Sequence, residues 1–326
     1  MIGLDLLKKL SVMIRSLKII FFGTPDFAVE SLDSIYKSKH KLLCVVTSKD
    51  KKSGRGMKIN LSAVKKYSSL NKIKILQTED FKNDSFLNIL KTYDADLFIV
   101  VAFKFLPKEI WNIPKLGTIN THASLLPKLR GAAPINWALI NGLKETGLTS
   151  FFINEKIDYG DIILQERLKI EKKDNFESLY KKLKDLSGRF ILKSIDCILD
   201  KGHTLKKQNS SKKYLIAPKL NNENTRINWN KSAESIYNFV RGLSPVPCAW
   251  TQEKKTNKKI LIYDVDFNTK INHQKNGVKI LSELKTLSIS TSKGSIIIKR
   301  LKIEGKRVIS GKDYLNANKN DQIIFI

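Results

Sequence analysis

Short apolar runs rich in β-branched residues alternate with helical segments from Leu17 to about Gly202, and this alternation constrains the fold more than any other feature. The strand candidates, in chain order, are LKIIFFG, KLLCVVTS, IKIL, DLFIVVAF, GTINTH and GLTSFFI. Segments of helical length fill the gaps, and the last of them is a long one over residues 175–202. Such alternation is typical of an α/β fold with a mostly parallel, Rossmann-like sheet.

The pattern changes after this region. Residues 203–225 are polar and rich in Lys, Asn and Ser, which predicts a surface linker. One helix, SAESIYNFVRGL, then precedes several short β-like stretches, and these predict a small, OB-like β-barrel. We therefore divide the chain into an N-terminal extension (1–16), an α/β domain (17–202), the linker and a C-terminal barrel domain (226–326).

Composition narrows the classes of function. The chain is 42% hydrophobic and has no apolar run of about 18 residues or more, which favours a water-soluble protein without a membrane span. The net charge of +28 favours a polyanionic partner such as nucleic acid, although drift toward Lys codons in an A/T-rich genome would also produce it. Cys44, Cys197 and Cys248 are far apart, so we expect neither a disulfide framework nor a thiolate metal site.

The first dozen residues, MIGLDLLKKLSV, contain Asp5 and are followed by no small-residue cleavage site. We therefore expect no secretory signal, and we expect a cytoplasmic protein. Because Met13 stands just before the first strand candidate, we treat it as an alternative start.

Several familiar catalytic signatures are absent from the sequence. The first βα turn, FFGTPDFAV, contains only Gly23, which argues against a dinucleotide-binding fingerprint. Neither a Walker motif nor a G-x-S-x-G nucleophile motif occurs. His40, His203 and His273 lie in polar surroundings, and the sequence contains no cluster of several closely spaced His and Cys residues, so no metal site is expected.

His122 differs from the other histidines. It ends an apolar strand, where α/β sheets place their ligand sites, and Asn120 two residues earlier shares its face. This spacing fits a structural histidine as well as a functional one. The later segment NEKIDYGDIILQ places Asp158 and Asp161 at a tight turn, from which one carboxylate could face the sheet edge. Asn, His and Asp together suit transfer of an acyl-like group between two amines.

Longer motifs decide between these alternatives. They are IIFFGTPDFAVESL, SGRG, LGTINTHASLLPKLRGAAPINWALING, IDYGDI, and RINW with VRGLSPVPCAW. With these motifs in this order, the chain from about Leu17 to the C-terminus resembles the methionyl-tRNA formyltransferase family. The resemblance implies transfer of the formyl group of 10-formyltetrahydrofolate to the α-amino group of methionyl initiator tRNA, for translation initiation. The amine attacks directly, through a tetrahedral intermediate, and no metal is implied.

The resemblance also assigns roles to residues of the site. Asn120, His122 and Asp158 correspond to the catalytic triplet, in which Asn120 and protonated His122 stabilise the oxyanion and Asp158 orients His122. The residues that correspond to the folate pocket are Ser124, Leu125, Leu126 and Pro127 on one wall, with Val101, Ala102 and Phe103 on another. The second wall, VAFKFLP, departs from the commonest family form by being one residue shorter and by carrying Lys104.

The tRNA contacts implied by the resemblance lie in two places. Arg55, within the loop over residues 47–66, corresponds to the residue that senses the first acceptor pair of initiator tRNA. The resemblance also implies that the basic C-terminal barrel contributes sequence-independent binding of the tRNA. We expect a monomer that does not associate with membranes.

Two other functions stay open on the sequence. One is another enzyme that uses formyl-tetrahydrofolate, either a transferase or a hydrolase. The other is a basic RNA-binding protein without catalysis. One enzyme of the first kind, a glycinamide-ribonucleotide formyltransferase, is expected to lack the C-terminal barrel, which argues against it. Against the second, Asn120, His122 and Asp158 are all present.

Overall fold

The computed structural model describes residues 16–53, 58–209, 212–270, 275–280, 286–318 and 322–326. Met13 and nearly all of the predicted N-terminal extension lie outside this range. The strands are β1 (Lys18–Gly23), β2 (Lys41–Thr47), β3 (Lys51–Ser53), β4 (Lys58–Asn60), β5 (Ile75–Gln77), β6 (Leu97–Val101), β7 (Thr118–His122), β8 (Arg130–Gly131), β9 (Glu145–Phe152), β10 (Ile162–Lys169), β11 (Ile216–Ala217), β12 (Ala249–Gln252), β13 (Lys259–Asn268), β14 (Lys279–Ile280), β15 (Leu287–Ser290), β16 (Ser295–Ile303) and β17 (Val308–Ser310).

The helices agree with the helical segments expected from the sequence, with two short additions, α4 and α8. They are α1 (Val29–Tyr36), preceded by a 3-10 turn over Asp26–Ala28, α2 (Ala63–Leu70), α3 (Asp84–Thr92), α4 (Lys108–Trp111), α5 (Pro134–Ile140), α6 (Phe176–Leu199), α7 (Ala233–Leu243) and α8 (Gly311–Ala317). Among these described helices, none has the length and apolarity needed to cross a membrane.

Local sequence explains where a helix such as α3 begins and which face it buries. The side-chain oxygen of Asn83 accepts a hydrogen bond from the backbone N–H of Phe86 at 3.2 Å, which caps the first turn. An N-cap of this kind stabilises a helix by about 1 kcal/mol. Phe86, Leu87 and Leu90 then form the buried stripe, at the spacing of one helical face.

Two compact units interleave along the chain. The first comprises residues up to Arg130, Gly147–Leu168 and Lys181–Leu215, and the second comprises Gly131–Thr146, Lys169–Tyr180 and Ile216–Ile326. The domains predicted from the sequence are contiguous instead, and their boundaries stay a prediction.

Side-chain hydrogen bonds connect the separate segments of the second unit. Nη1 of Arg241 donates to the carbonyl oxygen of Asp174 at 3.0 Å, and Nδ2 of Asn136 donates to that of Gly242 at 2.8 Å. Segments that precede the predicted linker in sequence therefore pack with residues that follow it.

A seven-stranded sheet in the order β10-β9-β7-β6-β1-β2-β5 forms the centre of the first unit. β1 pairs in parallel with both of its neighbours, β2 and β6. The β2–β5 and β6–β7 pairs are also parallel, whereas the β7–β9 pair is antiparallel. The predicted mostly parallel α/β sheet is confirmed. Strand order reverses between β1 and β6, and α/β sheets bind ligands beyond the carboxyl ends of their strands at such a point.

A small antiparallel barrel forms the main part of the second unit, as the short C-terminal strands predict. Its strands follow the order β12-β13-β16-β15-β14, and β17 pairs with β16. The last residues of the chain close the barrel. The N–H of Ile326 donates to the carbonyl oxygen of Gln252 in β12 at 2.9 Å, and the N–H of Lys279 in β14 donates to the carbonyl oxygen of Ile323 at 2.9 Å. Ile236, Val240 and Leu243 of α7 complete its apolar core.

Candidate active site

β7 carries Asn120 and His122 to the carboxyl edge of the large sheet. Asn120 lies opposite Val100 of β6 and Phe151 of β9, and His122 lies opposite Thr149 of β9. Because side chains alternate along a strand, Asn120 and His122 share one face. Asn120 is half-buried and His122 is only 7% exposed, so the pair lies at a sheltered edge rather than on open surface.

Asp158 approaches His122 from a different part of the chain. Its Oδ2 lies 3.8 Å from Nδ1 of His122, within ion-pair range but beyond hydrogen-bond length. On the other side of the ring, Nε2 is 2.9 Å from the carbonyl oxygen of Leu129. A carbonyl only accepts hydrogen bonds, so Nε2 carries a hydrogen in this contact and Nδ1 is the ring nitrogen that faces the carboxylate.

The connection between β9 and β10 determines where Asp158 lies. Asp158 has a positive φ of 60°, a conformation in which Asp is tolerated better than most side chains. Gly160 passes so close to Phe152 that an added Cβ would lie 1.5 Å from its carbonyl oxygen. Only glycine therefore fits at position 160. In the turn that contains it, Asp158 rather than Asp161 lies next to His122.

The segment over residues 124–127 follows His122 and is held by hydrogen bonds within the first unit. The hydroxyl of Ser124 donates to the carbonyl of Lys128 at 2.7 Å, and the N–H of Leu126 donates to Oγ1 of Thr149 at 3.1 Å. Ser124 and Leu126 are buried, whereas Leu125 and Pro127 are half-buried. Of the predicted folate residues in this segment, Leu125 and Pro127 thus have the more accessible side chains.

Val101, Ala102 and Phe103 lie at the end of β6, the strand beside β7. Val101 is fully buried, Ala102 is exposed with a φ of 48°, and the ring of Phe103 packs 5.8 Å from that of Phe22. Because β6 and β7 run in parallel, this segment and His122 belong to the same sheet edge. Phe103 contributes to the apolar core at that edge, so Ala102 is the most accessible of the three.

The described part of the chain offers no cluster of His, Cys, Asp and Glu residues arranged to hold a metal ion. Burial raises the pKa of Cys44 to about 12, and burial also raises that of Cys248 to about 12. Both thiols therefore stay protonated near neutral pH and are poor nucleophiles.

Comparison with known proteins identifies the family. The formyl transferase family model matches residues 17–195, and the model of the formyl transferase C-terminal domain matches residues 219–319. The methionyl-tRNA formyltransferase of Flavobacterium johnsoniae is 42% identical over 93% of this chain and 96% of its own length. That of Fusobacterium nucleatum is 41% identical over 92% of this chain and 97% of its own. The chain belongs to the methionyl-tRNA formyltransferase family.

Solved structures of more distant formyltransferases share the fold of this family member. An N-formyltransferase from Helicobacter canadensis, solved with folinic acid and dTDP-3-aminofucose, gives a TM-score of 0.60 at 22% identity, over 86% of this chain and 98% of its own. HypX from Aquifex aeolicus, solved with tetrahydrofolic acid, gives 0.60 at 16% identity, over 92% of this chain and 47% of its own. At these identities the likeness concerns the fold alone.

The loop that the family resemblance assigns to tRNA covers residues 47–66, and Arg55 lies outside the described residues. Within this loop β3 and β4 pair in antiparallel fashion, and neither strand was predicted from the sequence. Where the loop meets the sheet, Nζ of Lys65 is 2.6 Å from Oδ2 of Asp50 and 2.9 Å from Oε1 of Gln77. These contacts fix both ends of the loop to the end of the sheet.

Sequence reasoning missed two residues that contact the Asp158 turn, Arg130 and Gln208. Both hydrogen-bond to the carbonyl oxygen of Asp158. Arg130 stands in the LLPKLRGAAP motif and could have been singled out there, but Gln208 lies in the polar segment predicted to be a linker and carries no signal of its own.

Proposed function

We propose that this protein transfers the formyl group of 10-formyltetrahydrofolate to the α-amino group of methionyl initiator tRNA. The observation that carries the proposal is the approach of Asp158 to His122 at the edge that also holds Asn120, in a chain about 40% identical to named methionyl-tRNA formyltransferases over nearly its whole length. In this scheme residues 17–202 form the catalytic domain, 203–225 the linker and 226–326 the tRNA-binding domain.

The reaction needs an oxyanion donor and a proton carrier. The amine nitrogen forms a bond to the formyl carbon while the carbonyl oxygen becomes an oxyanion. The bond from carbon to N10 then breaks, N10 gains a proton and the amine loses one. Asn120 donates a hydrogen bond to the oxyanion, His122 supports the oxyanion and moves the proton, and Asp158 orients the ring. Such groups contribute about a hundredfold to ten-thousandfold in rate.

The formyl donor is assigned to the edge formed by the ends of β6 and β7. In this proposal Leu125 and Pro127 provide apolar contacts, and the backbone around Ala102 provides the opposite wall, with Ser124, Leu126, Val101 and Phe103 holding these walls in place. Calorimetric titration with 5-formyltetrahydrofolate tests the assignment. Leu125→Asp should weaken binding at least tenfold, and unchanged affinity would place the folate elsewhere.

The tRNA is assigned to Arg55 and to the basic barrel. Lysine and arginine contacts with phosphates release counterions, so tRNA affinity should fall steeply with salt, by about a thousandfold or more between 50 and 200 mM if six or more phosphates are neutralised. Fluorescence anisotropy with labelled tRNA measures this slope. A flat salt profile would argue against the barrel as a phosphate-binding surface.

One acceptor panel distinguishes the proposed reaction from its alternatives. Purified full-length protein receives labelled formyl-tetrahydrofolate together with charged initiator tRNA, charged elongator tRNA, glycinamide ribonucleotide or water alone. We expect label on the initiator tRNA only. Transfer to glycinamide ribonucleotide or release to water would indicate another enzyme that uses formyl-tetrahydrofolate, and tRNA binding without any transfer would indicate a non-catalytic RNA-binding protein.

We further propose that the protein is a cytoplasmic monomer. A net charge of +28 disfavours self-association through like-charge repulsion, and charged initiator tRNA is used where translation takes place. Light scattering after size exclusion should give a mass near 37.2 kDa, and a mass near twice that value would contradict the monomer.

A further inference from the structure

Contacts to the backbone hold the turn that carries Asp158. The carbonyl oxygen of Asp158 accepts hydrogen bonds from Nε of Arg130 at 3.1 Å and from Nε2 of Gln208 at 3.0 Å. Nε2 of Gln208 also donates to the carbonyl oxygen of Gly160 at 2.8 Å. Two side chains distant in sequence thus grip the backbone on both sides of Tyr159.

Arg130 and Gln208 also bind each other. Nη2 of Arg130 donates to Oε1 of Gln208 at 2.6 Å, and its Nε does so at 3.1 Å. The guanidinium of Arg130 stacks on the ring of Tyr159, with its central carbon 3.3 Å from the ring centroid. Arg130, Gln208 and the turn over residues 158–160 therefore form one interlocked group, which we call the turn clamp.

The same short segment also holds His122. Leu129, the residue before Arg130, accepts the hydrogen bond from Nε2 of His122 at 2.9 Å. The N–H of Leu129 is in turn fixed by the carbonyl oxygen of Leu215 at 2.6 Å. Consecutive residues thus position the two partners, because Leu129 holds the imidazole and Arg130 holds the turn that carries the carboxylate.

We propose that Arg130 and Gln208 are positioning residues that set the separation between Asp158 and His122 for the formyl transfer. The proposal rests on the proposed function. At 3.8 Å the carboxylate and the ring lie beyond hydrogen-bond length, so the backbone that carries each of them contributes to their alignment. A misplacement of about 1 Å in a catalytic group can cost about a hundredfold in rate.

The chemistry of the Gln208 amide makes the proposal testable with one isosteric change. Its NH2 group donates to two carbonyl oxygens while its own oxygen accepts from Arg130, and only a neutral amide of this length does both. In Gln208→Glu the oxygen facing Arg130 is kept, but the other oxygen meets two carbonyls without a hydrogen to donate. If Gln208 served only as a partner for Arg130, this variant would be harmless.

Kinetics on the full-length protein provide the first test. We expect Gln208→Glu and Gln208→Ala to lower kcat about 10- to 100-fold, with KM for the folate and for the tRNA within about threefold of wild type. Arg130→Lys keeps the positive charge but loses the planar guanidinium with its several donors, so its kcat should lie between those of the Gln208 variants and wild type.

A matched control comes from the same unit. Asn71 also donates a side-chain amide hydrogen to a backbone carbonyl, that of Tyr67 at 2.9 Å, but it lies at the end of α2. Asn71→Asp repeats the amide-to-carboxylate change away from the turn clamp and should leave kcat unchanged. An equal loss of kcat in Asn71→Asp and Gln208→Glu would overturn the proposal.

A second measurement does not depend on catalysis. The chain contains four histidines, so ring nitrogen spectra of protein labelled at histidine are simple, and a His122→Gln variant assigns the His122 signals. Gln208→Glu should shift the His122 ring signals, and Asn71→Asp should not. A Gln208→Glu protein with normal kcat and unmoved His122 signals would refute the positioning role. If wild-type protein transferred no formyl group, the proposed function would fail while the ring signals still decided the role of the turn clamp.

Discussion

Nδ1 of His122 lies 3.8 Å from Oδ2 of Asp158, and the two side chains are only 8% and 10% exposed. A sheltered pair of this kind feels little screening by solvent, so the carboxylate acts on the ring more strongly than it would on the open surface. Because Leu129 occupies Nε2, the charge of Asp158 acts at Nδ1.

Asp158→Asn should separate the charge of this pair from its geometry. Asn tolerates the left-handed backbone at 158, so the turn is expected to persist while the negative charge is lost. We expect kcat for methionyl-tRNA formylation to fall about 10- to 1000-fold, with His122→Ala falling about a hundredfold to ten-thousandfold. Single-turnover formylation of charged initiator tRNA measures both.

Thermal unfolding gives the control for these two variants. Each should melt within a few degrees of wild type, because His122→Ala removes one hydrogen bond and Asp158→Asn removes none of the backbone contacts of the turn. A folded His122→Ala protein with wild-type kcat would refute the catalytic assignment.

Gly160→Ala should damage the fold around the turn. A Cβ at this position would overlap the carbonyl oxygen and carbon of Phe152, which are backbone atoms and cannot move aside as the end of a flexible side chain could. We expect a loss of about 3 kcal/mol or more in the free energy of unfolding, measured by urea denaturation. Gly202→Ala is the matched control, since its nearest neighbour is Oδ1 of Asp200 at 3.4 Å and its cost should stay within about 0.5 kcal/mol. Equal losses in the two variants would contradict the steric argument.

The sequence predicts the strands at the centre of the fold better than those at its edges. The runs that became β1, β2 and β6 are nearly continuous and apolar because these strands are largely buried on both faces. β10 was not predicted, since its later residues are partly exposed and include charges, and a strand at the edge of a sheet has only part of its surface to bury. Closure of the barrel by Ile323–Ile326 was not predicted either, because four residues carry no periodicity.

Within the site, prediction succeeded where chemistry and strand position coincide. Asn120 and His122 share a face because they lie two residues apart on a strand, which the sequence states directly. The side-chain amide of Gln208 hydrogen-bonds to backbone carbonyls far away in sequence, and no local sequence pattern predicts such a contact. Positioning residues of this kind become visible only when the fold brings the segments together.

The ion pairs of Asp94 should give stability that depends on pH. Hydrogen bonds from Lys115 at 2.7 Å and Lys18 at 2.9 Å lower the pKa of the Asp94 carboxyl to about 2. Since the pKa is lower in the folded state, the stabilisation is fully present above the unfolded value of about 3.9 and is lost as pH falls toward 2. Asp94→Asn, which tolerates the φ of 47° at this position, should therefore lower Tm at pH 7.

The decisive measurement for Asp94 is the difference in Tm between wild type and Asp94→Asn as pH falls from 7 to 3 at low salt. That difference should be small, because the pair is exposed, and it should narrow below about pH 4. A difference that stayed constant down to pH 3 would show that the substitution acts through something other than the carboxylate charge.

Arg55→Leu should impair use of tRNA and spare the folate. Asp50 and Lys65, which lie before β3 and after β4, are held together at 2.6 Å, so the change should not propagate to the sheet. We expect KM for charged initiator tRNA to rise or kcat to fall by at least tenfold, while affinity for 5-formyltetrahydrofolate stays within about twofold. Arg189→Leu, which removes an arginine of the first unit paired with Glu166, controls for the loss of one positive charge. Equal losses of folate and tRNA affinity in Arg55→Leu would show that the loop supports the fold rather than contacting the tRNA.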